Sequence, residues 1–169
     1  MTKNEIVFSK DIANKRLTVV REFDAPLKVV WQAWTDSEIL DQWWAPNPYK
    51  AETKTMDFRE GGLWLYCMVG PEGNRHWCRV DYKKIEPPGS ITSKSSFCDE
   101  AGHITHDLPG MAWSEAFSQT GSTTTVRVEL SFTTEADLET IINMGFREGF
   151  TAGLNNLDHY LSTQYQIRK

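Results

Sequence analysis

Two histidines and a carboxylate lie close together in the sequence at His103, His106 and Asp107. Imidazole and carboxylate groups are ligands that zinc and iron accept. The segment is flanked by glycine and proline residues and has no further ligand at helical or strand spacing, and solvated histidines in loops are far commoner than metal ligands. We therefore expect no metal site here and no cofactor.

Three cysteines, Cys67, Cys78 and Cys98, are the candidate nucleophiles. An odd cysteine count in a chain of 169 residues is not typical of small secreted disulfide scaffolds, so buried free thiols are expected. Nucleophilic catalysis needs a base that a third group holds in place, and the sequence has neither a Gly-x-Ser-x-Gly segment nor a recognisable Cys-His pairing. The sequence therefore predicts no catalytic residue.

The chain is rich in aromatic residues, with seven Trp, eight Phe and five Tyr. Each ring buries a large apolar area, so this abundance indicates a thick core or an aromatic-lined cavity. The pair Trp43 and Trp44 is the most suggestive, because one ring can fill the core while the next overhangs a cavity mouth. Packing is nevertheless the commoner use of tryptophan.

Three glycines, Gly145, Gly149 and Gly153, recur every four residues in a segment with helical periodicity. Each costs about 1 kcal/mol relative to alanine in a helix interior, so another interaction must offset them. Close approach of the helix to the sheet and space left for a ligand explain the spacing equally well. Glu148 lies beside this stripe, either as a polar group of the cavity or as an exposed residue.

The elements that position these residues follow from hydrophobic periodicity. Leu17–Phe23 predicts a first strand, and two short helices are expected over Leu27–Trp34 and Ser37–Trp44. Between Tyr49 and Phe132, short runs of β-branched and aromatic residues alternate with turn signals, which predicts an antiparallel meander of about six strands. An apolar stripe then predicts one long helix from Thr134 to Leu161.

The predicted fold class is therefore α+β, a curved antiparallel sheet covered on its dry face by a long C-terminal helix. No repeat or linker divides the chain. We expect a polar leader over residues 1–15 that frays or adds a short edge strand, one domain over residues 16–163, and a tail over residues 164–169.

Charge and hydropathy exclude two classes of partner. The formal charge is −5, with 18 basic against 23 acidic residues, so no excess of cations is present to neutralise phosphates and nucleic acid is not an expected partner. No stretch reaches the roughly 18 consecutive apolar residues of a membrane span, and the first twenty residues lack the apolar block of a signal peptide. The expected location is the cytoplasm.

Three blocks of residues resemble the activator of heat-shock-protein-90 ATPase homologue family. The blocks are Arg21, Phe23, Ala25, Pro26, Val30, Trp31, Ala33, Trp34, Thr35, Asp36, Leu40, Trp43 and Trp44; then 57–64, Met68, Tyr82, Ile85, Pro87, Pro88 and Ile91; then Gly145, Gly149, Phe150, Leu154, Leu157 and Leu161. The family belongs to the START-like, birch-pollen-allergen-like (SRPBCC) superfamily. Departures are Lys84, where the family often has an acid, and the long Cys98–Met111 connection. We also expect no counterpart of the extra N-terminal domain of eukaryotic co-chaperone activators, which argues against chaperone activation.

The resemblance implies a helix-grip fold with a cavity between the sheet and the C-terminal helix. The position of Leu65 is often basic in the family and therefore wet, so strand alternation directs its neighbours to the concave face and Cys67 to the other face. Cys78 is expected on the concave face, so that the two thiols cannot form a disulfide. The predicted cavity lining is Trp43, Trp44, Trp64, Tyr66, Met68, Tyr82, Trp113, Met144, Gly145, Glu148 and Gly149.

The functional hypothesis is a START-like module that binds a small apolar or aromatic ligand, and a binding role is favoured over an enzymatic one. Two alternatives stay open: an enzyme that uses the cavity for acid-base chemistry on an aromatic or polyketide-like substrate, and an adaptor whose outer surface contacts a chaperone or another protein partner. A cavity group with a strongly shifted pKa favours the enzyme. An exposed apolar patch favours the adaptor.

Overall fold

The computed structural model describes residues 6–106 and 108–165. Its eight strands are β1 (Val7–Asp11), β2 (Arg16–Phe23), β3 (Lys50–Met56), β4 (Leu63–Val69), β5 (Arg75–Glu86), β6 (Ser90–Cys98), β7 (Met111–Thr120) and β8 (Thr123–Ser131). Its helices are α1 (Leu27–Thr35), α2 (Ser37–Trp43), α3 (Glu135–Asn143) and α4 (Phe146–Tyr160), followed by a π-helical turn, Leu161–Tyr165. No helix in these ranges is both long and apolar enough to cross a membrane.

All strand pairs are antiparallel and form one sheet in the order β1-β2-β8-β7-β6-β5-β4-β3. The sequence predicted this α+β helix-grip architecture, and the prediction is confirmed. Strand β1 is the edge element that the leader adds; residues 1–5 of the leader and 166–169 of the tail lie outside the described residues. The core lies on the concave face, where alternate residues of each strand point inward.

The prediction of one continuous helix from Thr134 to Leu161 is wrong. The Thr134 side chain caps α3 as expected, since its Oγ1 accepts from the Asp137 backbone N–H at 3.0 Å. Helix α3 ends at Asn143, and Gly145 has φ 93°, a left-handed conformation that glycine adopts without steric cost. The Gly145 N–H closes α3 on the Ile142 carbonyl at 3.0 Å, so this glycine separates α3 from α4.

The convex face of β4 is also covered, which corrects the expectation that Leu65 is wet. Leu65 and Cys67 are both buried. The segment after β6 lies over them, held by a hydrogen bond from Arg79 Nη1 to the Gly102 carbonyl at 2.6 Å and by a bridge between Cys98 and Ile104. Strand β4 is therefore buried on both faces, like a central strand.

Candidate functional site

A small cavity of about 30 Å³ lies inside the concave face. Helices α1 and α2 and the residue after α2 close it on one side, and strands β4 to β7 form the other side. It is lined by Trp34, Leu40, Trp44, Trp64, Val80, Tyr82, Ile91, Ser93, Ser95, Trp113 and Glu115. No residue of α4 belongs to this lining, so the cavity lies between the sheet and α1–α2 rather than under the C-terminal helix.

Strand register brings the polar lining residues together. Ser93 of β6 lies opposite Tyr82 of β5 on one side and Trp113 of β7 on the other. In the neighbouring row, Glu115 of β7 lies opposite Ile91 of β6 and Val128 of β8. Residues directly opposite each other share a face, so these side chains all point into the concave interior.

Glu115 is a carboxyl group inside an apolar environment. It is 8% exposed, and both of its cross-strand neighbours, Ile91 and Val128, are aliphatic. No described residue hydrogen-bonds its side chain. Burial raises the pKa of Glu115 to about 8, because a low-dielectric surrounding disfavours the ionised form. The group is therefore a protonated acid at neutral pH.

Tyr82 lies beside this acid. Burial raises the pKa of Tyr82 far above its usual range, and the charge of Glu115 raises it further. Its phenol therefore stays neutral at every physiological pH and adds no second ionisable group to the cavity.

Tryptophan side chains at the site divide into paired and unpaired donors. The Nε1–H groups of Trp43, Trp44 and Trp64 donate to the Ala33 carbonyl (2.9 Å), the Tyr66 hydroxyl (2.9 Å) and Thr53 Oγ1 (3.0 Å). By contrast, the buried Nε1 atoms of Trp34 and Trp113 have no hydrogen-bond partner among the described residues. Buried indole N–H groups usually find a partner, so two unpaired donors beside one cavity are unusual.

Trp44 is the centre of the aromatic lining. Its ring centroid lies 5.8 Å from that of Trp34, 5.6 Å from that of Trp64 and 5.8 Å from that of Trp113. Phe150 of α4 packs behind this group, 5.7 Å from Trp113 and 6.1 Å from Trp44. Helix α4 thus supports the lining rings without bordering the cavity itself.

Four of the sequence-predicted lining residues border the cavity: Trp44, Trp64, Tyr82 and Trp113. Three others pack nearby: Trp43 is a core residue at 1% exposure, Tyr66 stacks on Trp64 with centroids 4.1 Å apart, and Met68 packs against the core. Trp43, which was predicted to line the cavity, thus lies in the core, while its neighbour Trp44 borders the cavity.

The predicted residues of the last helix do not reach the cavity. Met144 is 50% exposed and Glu148 is exposed, whereas Phe146 between them packs against the core. A Cβ at Gly149 would lie 3.7 Å from Pro46 Cγ, and one at Gly153 would lie 3.0 Å from the Trp44 carbonyl oxygen. Gly153 therefore allows close approach of the segment after α2, whereas a Cβ at Gly149 would make an ordinary van der Waals contact, and neither position borders the cavity.

Sequence reasoning missed Glu115, the most informative residue of the site. The signal was present, because Met111, Trp113 and Phe117 alternate with small or polar residues and Glu115 occupies their inward position. Also missed were Trp34, Leu40, Val80, Ile91, Ser93 and Ser95.

The metal site considered for His103, His106 and Asp107 has no matching geometry in the described residues. Over residues 6–106 and 108–165, no group of three or more His, Cys, Asp or Glu side chains is arranged to hold a metal ion. His103 Nδ1 lies 3.2 Å from Asp99 Oδ2, at the surface, and Asp107 lies outside the described residues.

All three cysteines are free and buried. Cys78 belongs to the concave core and Cys67 lies opposite Trp77 on the other face, as strand alternation predicted. Burial raises the pKa of each thiol, in Cys78 to about 12, so none forms a reactive thiolate at neutral pH.

Large exposed apolar side chains are few in the described part of the chain: Val7, Ile12, Ile104 and Met144. They come from the β1 region, the segment after β6 and the break between α3 and α4. Apolar residues scattered singly are ordinary for a protein surface and give no support to an adaptor surface.

Comparisons with known proteins relate the chain to one family. The family model described as "Activator of Hsp90 ATPase homolog 1-like protein" matches residues 24–162. Among solved structures, protein Ms6760 from Mycobacterium smegmatis is 26% identical, with a TM-score of 0.86 over 94% of this chain and 98% of that one. A protein from Arthrobacter aurescens is 28% identical, with a TM-score of 0.88 over 92% and 91% of the two chains. None of the curated proteins compared with the chain matches it.

Proposed function

Because the chain belongs to the Activator of Hsp90 ATPase homolog 1-like family, whose fold is generally a ligand-binding one, we propose that it is a small-molecule-binding protein. The ligand is a small apolar or aromatic compound. It occupies the cavity between the sheet and α1–α2, where rings of Trp34, Trp44, Trp64 and Trp113 contact it. Rings of this kind supply large contact area and orient flat ligands by stacking or edge contacts.

The burial of Glu115 is the observation that carries this proposal. A carboxyl buried without a hydrogen-bond partner costs roughly 1–3 kcal/mol or more, and an aliphatic residue between Ile91 and Val128 would avoid that cost. Polar groups that destabilise a core are typical of binding sites, where their partner arrives with the ligand. A packing defect in an ordinary core would have an apolar lining.

The cavity must enlarge when the ligand binds. Its volume of about 30 Å³ is room for roughly one water molecule, whereas an apolar cavity that takes benzene has about 150 Å³. Trp44 and Ser95 are the partly exposed members of the lining, and all others are buried. We expect the ring of Trp44 to move outward and the ligand to enter between it and Ser95.

Native mass spectrometry of the freshly purified protein tests the proposal. The expected spectrum contains a second species, heavier than the chain by the mass of one small molecule. Ser95→Leu, which obstructs the cavity mouth, should lose that species, whereas Lys94→Leu, at an exposed position on the opposite face of β6, should keep it. A spectrum of the bare chain, with no binding of added one-ring aromatic compounds, would contradict the proposal.

A second candidate function is favoured by the raised pKa of Glu115, since an acid-base catalyst works best with a pKa near the ambient pH. In that case the cavity transfers a proton to or from a bound aromatic or polyketide-like substrate. The test is a pH titration of the Glu115 δ-carbon by NMR with selective ¹³C labelling. Titration near pH 8 supports proton transfer; a carboxyl that is ionised at pH 5, or protonated above pH 10, excludes it.

We also propose that the protein works in the cytoplasm, which the three free thiols support because reducing compartments keep thiols unpaired. Fractionation of cells that express the tagged chain tests this. Recovery with a periplasmic or extracellular fraction would contradict it.

A further inference from the structure

Three unpaired polar groups border the same cavity. The Nε1 atoms of Trp34 and Trp113 are buried and have no hydrogen-bond partner among the described residues, and no described residue bonds the Glu115 carboxyl. All three side chains are more than nine-tenths buried. The other three cavity-adjacent indoles, those of Trp43, Trp44 and Trp64, all donate to protein acceptors. Of the three buried side-chain nitrogens without a partner among the described residues, two belong to cavity-lining tryptophans, and the third is Arg21 Nε, outside the lining.

The unpaired groups are donors, which restricts the chemistry of the ligand. Indole N–H groups only donate. Glu115 adds an O–H donor at neutral pH, because burial raises its pKa to about 8. The Ser93 and Ser95 hydroxyls line the same space and donate as well as accept. A ligand that satisfies this set must bring an acceptor.

Other ligand chemistries fit less well. A hydrocarbon leaves all three groups unpaired. An ammonium ion suits the aromatic faces and an ionised Glu115, but it donates only and leaves both indoles without an acceptor. A carboxylate offers acceptors, but a buried anion without a cationic partner is costly, and none of the described lining residues is Lys or Arg.

We infer that the ligand places one uncharged acceptor oxygen, such as a ketone, ester or amide carbonyl, against Trp34, Trp113 and Glu115. This inference rests on the proposed function of the same cavity and adds the polar group that the ligand must carry. The aromatic or apolar body of the ligand then lies against Trp44 and Trp64.

Three probes of nearly equal shape test the inference: acetophenone, isopropylbenzene (cumene) and 1-phenylethylammonium. They share a phenyl ring and a branched substituent, and they differ in carrying a carbonyl, a methyl or an ammonium group. Each is titrated into ¹⁵N-labelled protein at pH 6.5, and the indole N–H resonances are followed by NMR. Trp34→Phe and Trp113→Phe variants assign the two resonances.

Acetophenone should bind about tenfold more tightly than cumene, as expected for about 1.4 kcal/mol of added hydrogen bonding. It should shift the Trp34 and Trp113 indole resonances downfield. The Trp43 resonance is the internal control, because its N–H already donates to the Ala33 carbonyl. Glu115→Gln keeps a donor and should retain the preference for acetophenone, whereas Glu115→Leu should reduce it by about threefold or more.

The outcomes separate the inference from the proposed function. If cumene binds as tightly as acetophenone and neither indole resonance moves, the cavity is a binding site but the inference is wrong. If 1-phenylethylammonium binds best, the inference is wrong and Glu115 acts as a counter-ion. If none of the three probes binds, both the inference and the proposed site are overturned. Near-UV circular dichroism of each variant verifies native packing before titration.

Discussion

Two ionisable residues, Arg21 and Glu115, face the concave interior, and their surroundings differ. Arg21 of β2 is 3% exposed, but Nη1 donates to Asn155 Oδ1 at 2.8 Å and Nη2 lies 3.8 Å from Asp158 Oδ2. Only its Nε is unpaired. On the same face, two strands away in the sheet, Glu115 is 8% exposed and has aliphatic cross-strand neighbours and no hydrogen bond from a described residue.

The difference shows which of the two groups serves the fold. Arg21 is held by two residues of α4 and so joins the helix to the sheet. Its pKa is lowered by burial, and the charge of Asp158 partly offsets that effect. Glu115 has no such link to a helix, and it lines the same cavity as Trp34 and Trp113, whose indole N–H groups have no partner among the described residues. Stability explains the first arrangement but not the second.

The largest expected effect is a pH dependence that Glu115 alone produces. In the folded state its carboxyl keeps the proton up to about pH 8, whereas in the unfolded chain it loses the proton near pH 4.5. Between these values the folded state binds more protons, so the stabilising contribution is complete below pH 4.5 and is lost as the pH rises through 8. The unfolding free energy of the wild type should fall relative to Glu115→Gln by up to about 5 kcal/mol over this range.

Urea unfolding of both proteins at several pH values measures this difference. Glu72→Gln is the matched control because it lies in the exposed turn between β4 and β5. Parallel pH profiles for the wild type and Glu115→Gln would show that Glu115 is solvated, and the contrast between Arg21 and Glu115 would disappear.

Removal of a partner of Arg21 gives the next largest effect. Asp158→Leu leaves the buried guanidinium without its counter-charge and should cost about 3 kcal/mol, the low end for a broken buried pair. Arg21→Leu should cost less, because Asp158 and Asn155 both have access to water. Chemical denaturation at neutral pH measures both variants. The reverse order would mean that Arg21 stabilises mainly through its packing on Phe23, whose ring lies 5.4 Å away.

Alanine substitutions of the α4 glycines test how closely that helix packs against the segment after α2. Gly153→Ala places a methyl 3.0 Å from the Trp44 carbonyl oxygen, and overpacking should outweigh the gain in helix propensity for a net loss of about 1 kcal/mol. Gly149→Ala, with 3.7 Å to Pro46 Cγ, should instead raise stability by up to about 1 kcal/mol. Thermal melts of the two variants should therefore move in opposite directions. If both variants are more stable than the wild type, the segment after α2 shifts at little cost to make room for the added methyl group.

The smallest effect compares a paired indole with an unpaired one. Trp43→Phe removes the hydrogen bond to Ala33, whereas Trp34→Phe removes an N–H that has no partner among the described residues. Both lose similar ring area, so Trp43→Phe should be more destabilising by about 1 kcal/mol. Urea midpoints measured in parallel report the difference. Equal losses would indicate that Trp34 has a hydrogen-bond partner in solution.

Most of the correct predictions about side-chain direction came from strand alternation. It assigned Trp64 and Tyr66 to the concave face and Cys67 to the other, because side-chain direction along a strand depends only on parity. It could not predict the cover over Leu65, since that depends on where the segment after β6 folds back. Depth of burial is a property of distant contacts, not of the strand itself.

The sequence analysis missed the helix break at Gly145 and the unpaired indole donors of Trp34 and Trp113, for different reasons. The apolar stripe continues through Gly145 in the sequence, so periodicity alone gave one helix, although glycine followed by a new helical start is a known end signal. The unpaired state of Trp34 and Trp113 is not a property of their residue type at all. It emerges only when the register of β7 and the position of α1 are both known.

The tryptophan cluster also contributes to how the protein absorbs and emits light, since it holds five of the seven tryptophans. Trp34, Trp43, Trp44, Trp64 and Trp113 form a chain of neighbours with centroid separations of 4.9–5.8 Å. At such separations the transition dipoles of adjacent indoles couple, and excitation migrates among the rings faster than it is emitted. The five rings should therefore act as one chromophore, with an intense near-ultraviolet dichroism that vanishes when side-chain packing is lost. A quencher that contacts any one ring should lower the fluorescence of all five.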